Sequence, residues 1–421
     1  MIRRDLLAGA AMLTAWPRAA GAQVKPRVTF ISQWSSGSDA AAINGLGKRF
    51  EQEGGIWQHT PVPGFTTELL RKLRADIAAG NLPAASQLKG PELAEWSKLA
   101  PTVDLDPLVI AGYDKLMSTE LEKLHRPQGN WIALPMQVYR TTNLFVSRPA
   151  MAKVGATRAP ATWAEFNELA AAMKAAGIVP LANGGLRWDD GMKLEIALAG
   201  ISADAYRAAL MNLDAKALRG PEMLQAFAQL RKFASWMDPR TALLHYSINL
   251  PSFLKGEMGM LLMGGWAQGV IRTLGGKLDD VLIVSAPQDE GKLCFVLNAD
   301  SMIFWKCNEP DLIAGQRLLV RLMMQKDVQE KYSQTTGSLP VRIDIDLSGP
   351  AWTDGQRAGA AARAESIKTQ RMLLSFAHNM ALPNHIASAM IDVISDFVHD
   401  AKMPPEQAVA QMATAAENAR G

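Results

Sequence analysis

Hydrophobic positions along this chain follow two periods in turn. Residues 28–32 (VTFIS) form a β-branched run that reads as a buried strand. Between residues 39 and 53, Ile43, Leu46 and Phe50 recur at spacings of three and four, which marks one face of a helix. Residues 66–79 predict a second helix, stopped by Gly80-Asn81, and residues 84–88 a second short strand. Strand, helix, helix, strand is the order of an α/β lobe.

The pattern then changes. Residues 131–146 (WIALPMQVYRTTNLFV) read as extended chain across a proline, followed by a strand. Thr162 lies three residues before Glu165, which predicts a capping box, and Gly177 closes the helix it opens. A strand is expected over 178–182 and helices over 192–211 and 221–237. The run GMLLMGGWAQG (259–269) begins as a buried strand, turns on two glycines and presents Trp266. After residues 281–286 and the apolar stretch 293–307, the chain reads as mostly helical to its end. The alternation predicts two α/β lobes, with the chain crossing between them more than once.

Composition narrows the class. The chain has 421 residues, 48% apolar and 20% charged, as in globular proteins long enough for more than one core. The net charge of +3 leaves no basic stripe once the N-terminal arginines are set aside, which argues against nucleic acid as a partner. The N-terminus carries Arg3 and Arg4, a short apolar stretch and a small-residue site at Ala20-Gly21-Ala22. This predicts an export signal over residues 1–22, of either the general or the twin-arginine type, and a periplasmic mature protein. The apolar stretch is too short to span a bilayer. Cys294 and Cys307 are the two cysteines, and an oxidising compartment leaves both a disulfide and two buried thiols open. The six histidines show no metal-ligand spacing, so no metal or other cofactor is expected.

The candidate chemistry is aromatic and polar. The chain holds 11 Trp against 5 Tyr. Trp34, Trp188 and Trp266 stand in glycine-rich, polar stretches just past expected strands, where open α/β sheets bind ligands. An indole face suits the C–H patches of a sugar, and nearby amides and carboxylates suit its hydroxyls. No G-x-S-x-G, H-E-x-x-H or G-x-x-x-x-G-K-[ST] motif occurs, and no catalytic residue is expected. Asp189-Asp190 offers a carboxylate pair of the kind glycoside hydrolysis uses, but adjacent side chains usually point apart, so one is expected to cap a helix and the other to be solvated.

Taken in order, QWSSGSDAAAINGL, AAGNLPAASQLKG, PATWAEFNELAAAMKAAGIVPLANGG, RWDDG, FLKGEMGMLLMGGWAQG, LNADSMIFW and TTGSLPVR resemble the extracellular solute-binding proteins of carbohydrate ABC transporters, nearest to the glucose/mannose-binding branch. The resemblance runs over residues 28–412. It implies the periplasmic-binding-protein, or Venus-flytrap, fold: two α/β lobes joined by two or three crossing segments. Lobe 1 would comprise residues 24–136 and 294–336, lobe 2 residues 140–290 and 341–421, with hinges near 135–139, 287–292 and 338–342. Carried over by position, it implies a ligand site of Trp34, Asp39, Gln87, Lys89, Asn183, Trp188, Trp266, Asn298, Asp300 and His378. Gln33, Asn143 and Asn183 replace rings of the glucose branch, which favours a more hydroxylated, more extended or acidic ligand. Lys89 and Arg187 could then face a carboxylate or phosphate. The implied partners are a small carbohydrate or polyol and a membrane permease, the protein itself being a monomer. A sensory co-receptor for a membrane histidine kinase and a secreted glycoside-active enzyme are the alternative readings.

Overall fold

The computed structural model describes residues 24–241 and 243–421. The expected export signal lies outside the described residues. Among the described residues, ten strands form two sheets. They are β1 (Arg27–Ser32), β2 (Ile56–Pro61), β3 (Ala85–Leu88), β4 (Ala133–Arg140), β5 (Asn143–Ser147), β6 (Val179–Leu181), β7 (Met258–Met263), β8 (Val281–Ser285), β9 (Phe295–Phe304) and β10 (Met372–Leu374).

The first sheet runs β2-β1-β3-β9, with β1 parallel to both of its neighbours. β9 takes antiparallel β4 along one edge, and β3 and β10 in succession along the other. Side-chain alternation gives this sheet two apolar faces. Val28, Phe30, Met302 and Phe304 pack under helices Gly37–Gln52 and Pro310–Met323. Ile31, Ile303 and Trp305 pack under helix Phe65–Ala79. The second sheet runs β6-β7-β5-β8, and its core is enclosed by helices Trp163–Ala175, Arg187–Ile201, Pro221–Trp236, Asn384–His399 and Pro405–Arg420. Two α/β lobes are therefore present. Among the described residues no helix is long and apolar enough to cross a membrane.

The crossings differ from expectation in two places. Residues 135–139 do not leave the first sheet, because β4 stays paired with β9 as far as Arg140. The chain changes sheet over Thr141-Thr142, since Asn143 already pairs with Met263 and Ser285. The second passage lies between β8 and β9 and includes the expected 287–292. Residues 338–342 do not end lobe 1 either: Ile345, Leu347 and Trp352 return to its core, and β10 pairs with β9. The chain enters the second core only at Leu373 and Phe376.

Local expectations were refined in the same way. Thr162 caps its helix by accepting from the Glu165 amide, but the Glu165 carboxylate turns to the Ala161 amide and Arg158. The complete capping box belongs to Thr353 and Gln356. Cys294 and Cys307 flank one continuous strand, and both thiols are free. A ten-residue strand separates its ends by about 30 Å, which excludes a bridge.

Candidate functional site

The first lobe contributes a polar network. Gln87 and Lys89 stand at the carboxyl end of β3, beside β9. The Gln33 amide donates to Gln87 Oε1 at 3.0 Å, which turns Gln87 Nε2 toward Asp300 Oδ1 at 3.1 Å. Lys89 Nζ lies 3.2 Å from Asn298 Oδ1 and 3.4 Å from Asp300 Oδ1. From β4, Gln137 Nε2 donates to Asp300 Oδ2 at 3.1 Å and more weakly to Asp39 Oδ1 at 3.4 Å. The Tyr139 hydroxyl donates to the same Asp39 oxygen at 3.3 Å. Lys89 thus pairs with Asp300, and Asp39 feels its charge only at longer range. Burial, followed by the neighbouring Asp300 charge, pushes the Asp39 pKa up to about 6 against the opposing pull of Gln137, Tyr139 and Lys89.

The second lobe contributes rings. Trp266 follows β7 directly and meets Tyr139 edge-on at 5.3 Å between centroids, His378 at 5.0 Å and Trp188 at 6.4 Å. Trp188 also lies 5.9 Å from His245 and 6.2 Å from Tyr246. The glycines beside Trp266 have separate causes. A Cβ on Gly264 would sit 2.1 Å from the folded-back indole, and one on Gly269 would sit 2.6 Å from Ser38 Oγ of the other lobe. The indole therefore rests on bare backbone, and the following helix (Ala267–Thr273) can press against lobe 1.

Buried charge orients these rings. Asp189 and Asp190 follow Trp188 in the first turn of Arg187–Ile201, and neither is solvated. Lys193 Nζ reaches Asp190 at 2.9 Å, Asp189 at 3.6 Å and the Gly184 carbonyl at 2.9 Å. Asp189 in turn accepts from the Gly184 amide and Asn183 Nδ2. The expectation of one capping and one solvated carboxylate is thus corrected: the pair shares an internal lysine, and the set pins the loop in front of Trp188. Burial pushes Asp189 up to about 6, with Lys193 acting against it.

Glu195, one turn further on, accepts from Thr141, Tyr206, Ser375 and the Ala377 amide. Ser375 Oγ lies 2.9 Å from His378 Nδ1, so this buried carboxylate sets the segment carrying His378. Burial, and then Lys89, hold the imidazole well below its usual pKa, so it is neutral. Its Nε2, Trp188 Nε1 and Gln137 Oε1 are shielded from solvent without a hydrogen-bond partner. Tyr246 Oη lies beside Trp266 without a well-formed bond. Each such atom costs about 1–3 kcal/mol until something satisfies it.

Eight of the ten residues expected at the site converge here: Asp39, Gln87, Lys89, Asn298 and Asp300 from lobe 1, and Trp188, Trp266 and His378 from lobe 2. Two do not. Trp34 packs in the lobe 1 core beside Phe30, because its amide turns back onto Ser32 Oγ. Asn183 is a fully buried clip whose amide bonds Asp189 and both backbone groups of Leu262, which leaves it nothing to offer a ligand. Arg187 pairs with Asp392 on the surface. Gln137, Tyr139, Tyr246 and Glu195 escaped the sequence reading. Gln137 and Tyr139 could have been found by strand parity, since they share a face of β4. Tyr246 sits in a short 3-10 turn with no periodic signal.

Two α/β lobes joined by repeated crossings, with rings and polar groups converging at their junction, define a two-lobed ligand-binding protein. The chain belongs to the bacterial extracellular solute-binding proteins, whose family model matches residues 45–359. A relative from Brucella suis biovar 1 (strain 1330), named a probable sugar-binding periplasmic protein, is 29% identical over 98% of this chain and 97% of its own. A relative of the same name from Rhizobium meliloti (strain 1021) is 29% identical over 96% of each chain. Among solved structures, a chitin oligosaccharide binding protein superposes with a TM-score of 0.79 at 19% identity, covering 94% of this chain and 99% of its own. The bacterial solute receptor AcbH superposes with a TM-score of 0.76 at 17% identity, over 94% and 99%.

Proposed function

We propose that this protein is the periplasmic, substrate-binding component of an ABC transporter for a monosaccharide or related polyol, handing its ligand to a membrane permease. The observation that carries the reading is the junction itself. Rings from lobe 2 face a carboxylate, amide and ammonium network from lobe 1, and several of the intervening polar atoms lack partners. A pyranose matches both halves: its C–H face packs on indole, and its hydroxyls donate to Asp39 and Asp300 and accept from Lys89 and Gln137. The names of the full-length relatives support a sugar as the ligand. The close approach of Trp266, Trp188 and His378 favours a small ligand over an oligosaccharide.

Entry requires the lobes to part about Thr141-Thr142 and the β8–β9 passage. A ligand touching both lobes favours the shut form because only that form supplies all its contacts. Micromolar binding needs about −8 kcal/mol net, within reach of a few charged hydrogen bonds at about 1.5–3 kcal/mol each plus stacking. The test is a thermal-shift and calorimetric panel of sugars, sugar acids and polyols on the mature protein. A ligand at a thousandfold excess over its Kd stabilises by about 4 kcal/mol. A panel with neither shift nor heat overturns the reading.

A further inference from the structure

We propose that the cavity where β4 passes into β5 is a binding site for a monatomic anion, chloride in the cell envelope, with Arg140 as its principal ligand. Arg140 ends β4 and is only 3% exposed. Its Nε donates to Asn143 Oδ1 at 2.7 Å and its Nη1 to Ser285 Oγ at 2.6 Å, both neutral acceptors, and Nη2 has no partner. None of the ion pairs among the described residues includes it. Burial alone draws its pKa down, to about 10. An enclosed guanidinium without a counter-charge is costly to desolvate, so such groups are ordinarily matched by an acid.

The cavity it lines supplies no acid. Its other polar walls are Tyr139, Asn143, Gln268 and Gln356, and Gly355 borders it from the first turn of helix Asp354–Lys368. The three side-chain amides spend their N–H groups on backbone carbonyls, and Tyr139 donates to Asp39, so Arg140 Nη2 is the free side-chain donor of this lining. The Gly355 N–H is one of the donors that a helix start leaves without an intrahelical acceptor, at the positive end of the helix dipole. Asp354, beside it, is exposed and pairs with Arg357 instead. Two turns along the same helix, Arg363 is buried against the Pro340 carbonyl, again without a carboxylate. The cavity has room for about one water-sized occupant, so a halide would seat tightly against Arg140, with a small outward shift of the walls, and sulfate or phosphate would not fit. Its walls come from both lobes, so an anion there would tie their relative position to chloride. The inference does not depend on which ligand the main junction takes.

The test is thermal unfolding of the full mature chain in chloride against gluconate at constant ionic strength. The expected result is a saturable rise in Tm with chloride, of roughly 2 °C at a tenfold excess over Kd, that sulfate does not reproduce. Arg140→Gln should abolish the rise. A wild-type Tm indifferent to chloride, or an Arg140→Gln variant that keeps the rise, overturns the proposal. Should that variant fail to fold, wild-type crystals grown in bromide decide: an anomalous peak beside Arg140 supports the site, and bromide bound only elsewhere overturns it.

Discussion

The Tyr139 ring meets the Trp266 indole edge-on at 5.3 Å, and the two residues belong to different lobes. Tyr139 also donates to Asp39, so one side chain ties the aromatic half of the junction to the polar half. Trp266→Ala removes the shared surface of Tyr139, Trp188 and His378. An aromatic pair contributes about 0.5–1.5 kcal/mol beyond buried area, and the lost contact area adds to it, so affinity for the cognate ligand should fall on the order of tenfold. Calorimetry against wild type checks this, and unchanged affinity removes Trp266 from the site.

Trp34 should behave differently. It packs against Phe30 in the lobe 1 core, so Trp34→Ala is expected to cost about 3–5 kcal/mol of stability. Denaturant unfolding reads this directly. A stable variant that has lost only ligand affinity would restore Trp34 to the binding surface.

The raised Asp39 pKa carries a pH signature. Its folded pKa of about 6 exceeds the ordinary 3.8, so the folded protein holds the proton more tightly than the unfolded chain. Its contribution is therefore fully present below pH 3.8 and is lost as pH rises through about 6. Asp39→Asn should flatten that part of the stability profile by on the order of 3 kcal/mol. Asp189 is raised in the same range and will leave a residual slope. Identical profiles for wild type and Asp39→Asn would contradict the assignment.

Lys193→Met strands two buried carboxylates. Breaking a buried ion pair by removing one partner costs about 3–5 kcal/mol. Global stability should drop by that order, and ligand affinity should drop with it, because the loop before Trp188 loses its anchor. A fully stable Lys193→Met protein would show that the ion cluster is not needed.

The cysteines offer a simple check. With β9 between them, a denaturing thiol titration of the unreduced protein should count two free thiols, and reductant should leave Tm unchanged. Burial pushes both thiols up to about 11, which slows their reaction in the native state.

Much of the fold could be read locally. The run around Phe30 and Ile31, the helix face of Ile43, Leu46 and Phe50, and the glycine turn before Trp266 each occupy the element their spacing implies. Helix Arg187–Ile201 was legible only in its second half. Its first turn, RWDDG, carries charges that read as loop, yet Asp190 and Lys193 neutralise each other inside the lobe.

The sequence by itself determined two α/β lobes, the strand ends that face the junction, and the residue types suited to gripping a polyhydroxylated ligand. These follow from periodicity and turn chemistry, which act over a few residues. Only the tertiary structure decided that Trp34 turns into the core while Tyr139 turns out of it, that Asn183 is saturated, and where the chain changes lobes. Those outcomes depend on β9 meeting β3, β4 and β10, and on Lys193, Glu195 and Arg140 being buried. Long-range pairing and desolvation set them, and neither leaves a local trace in the order of residues.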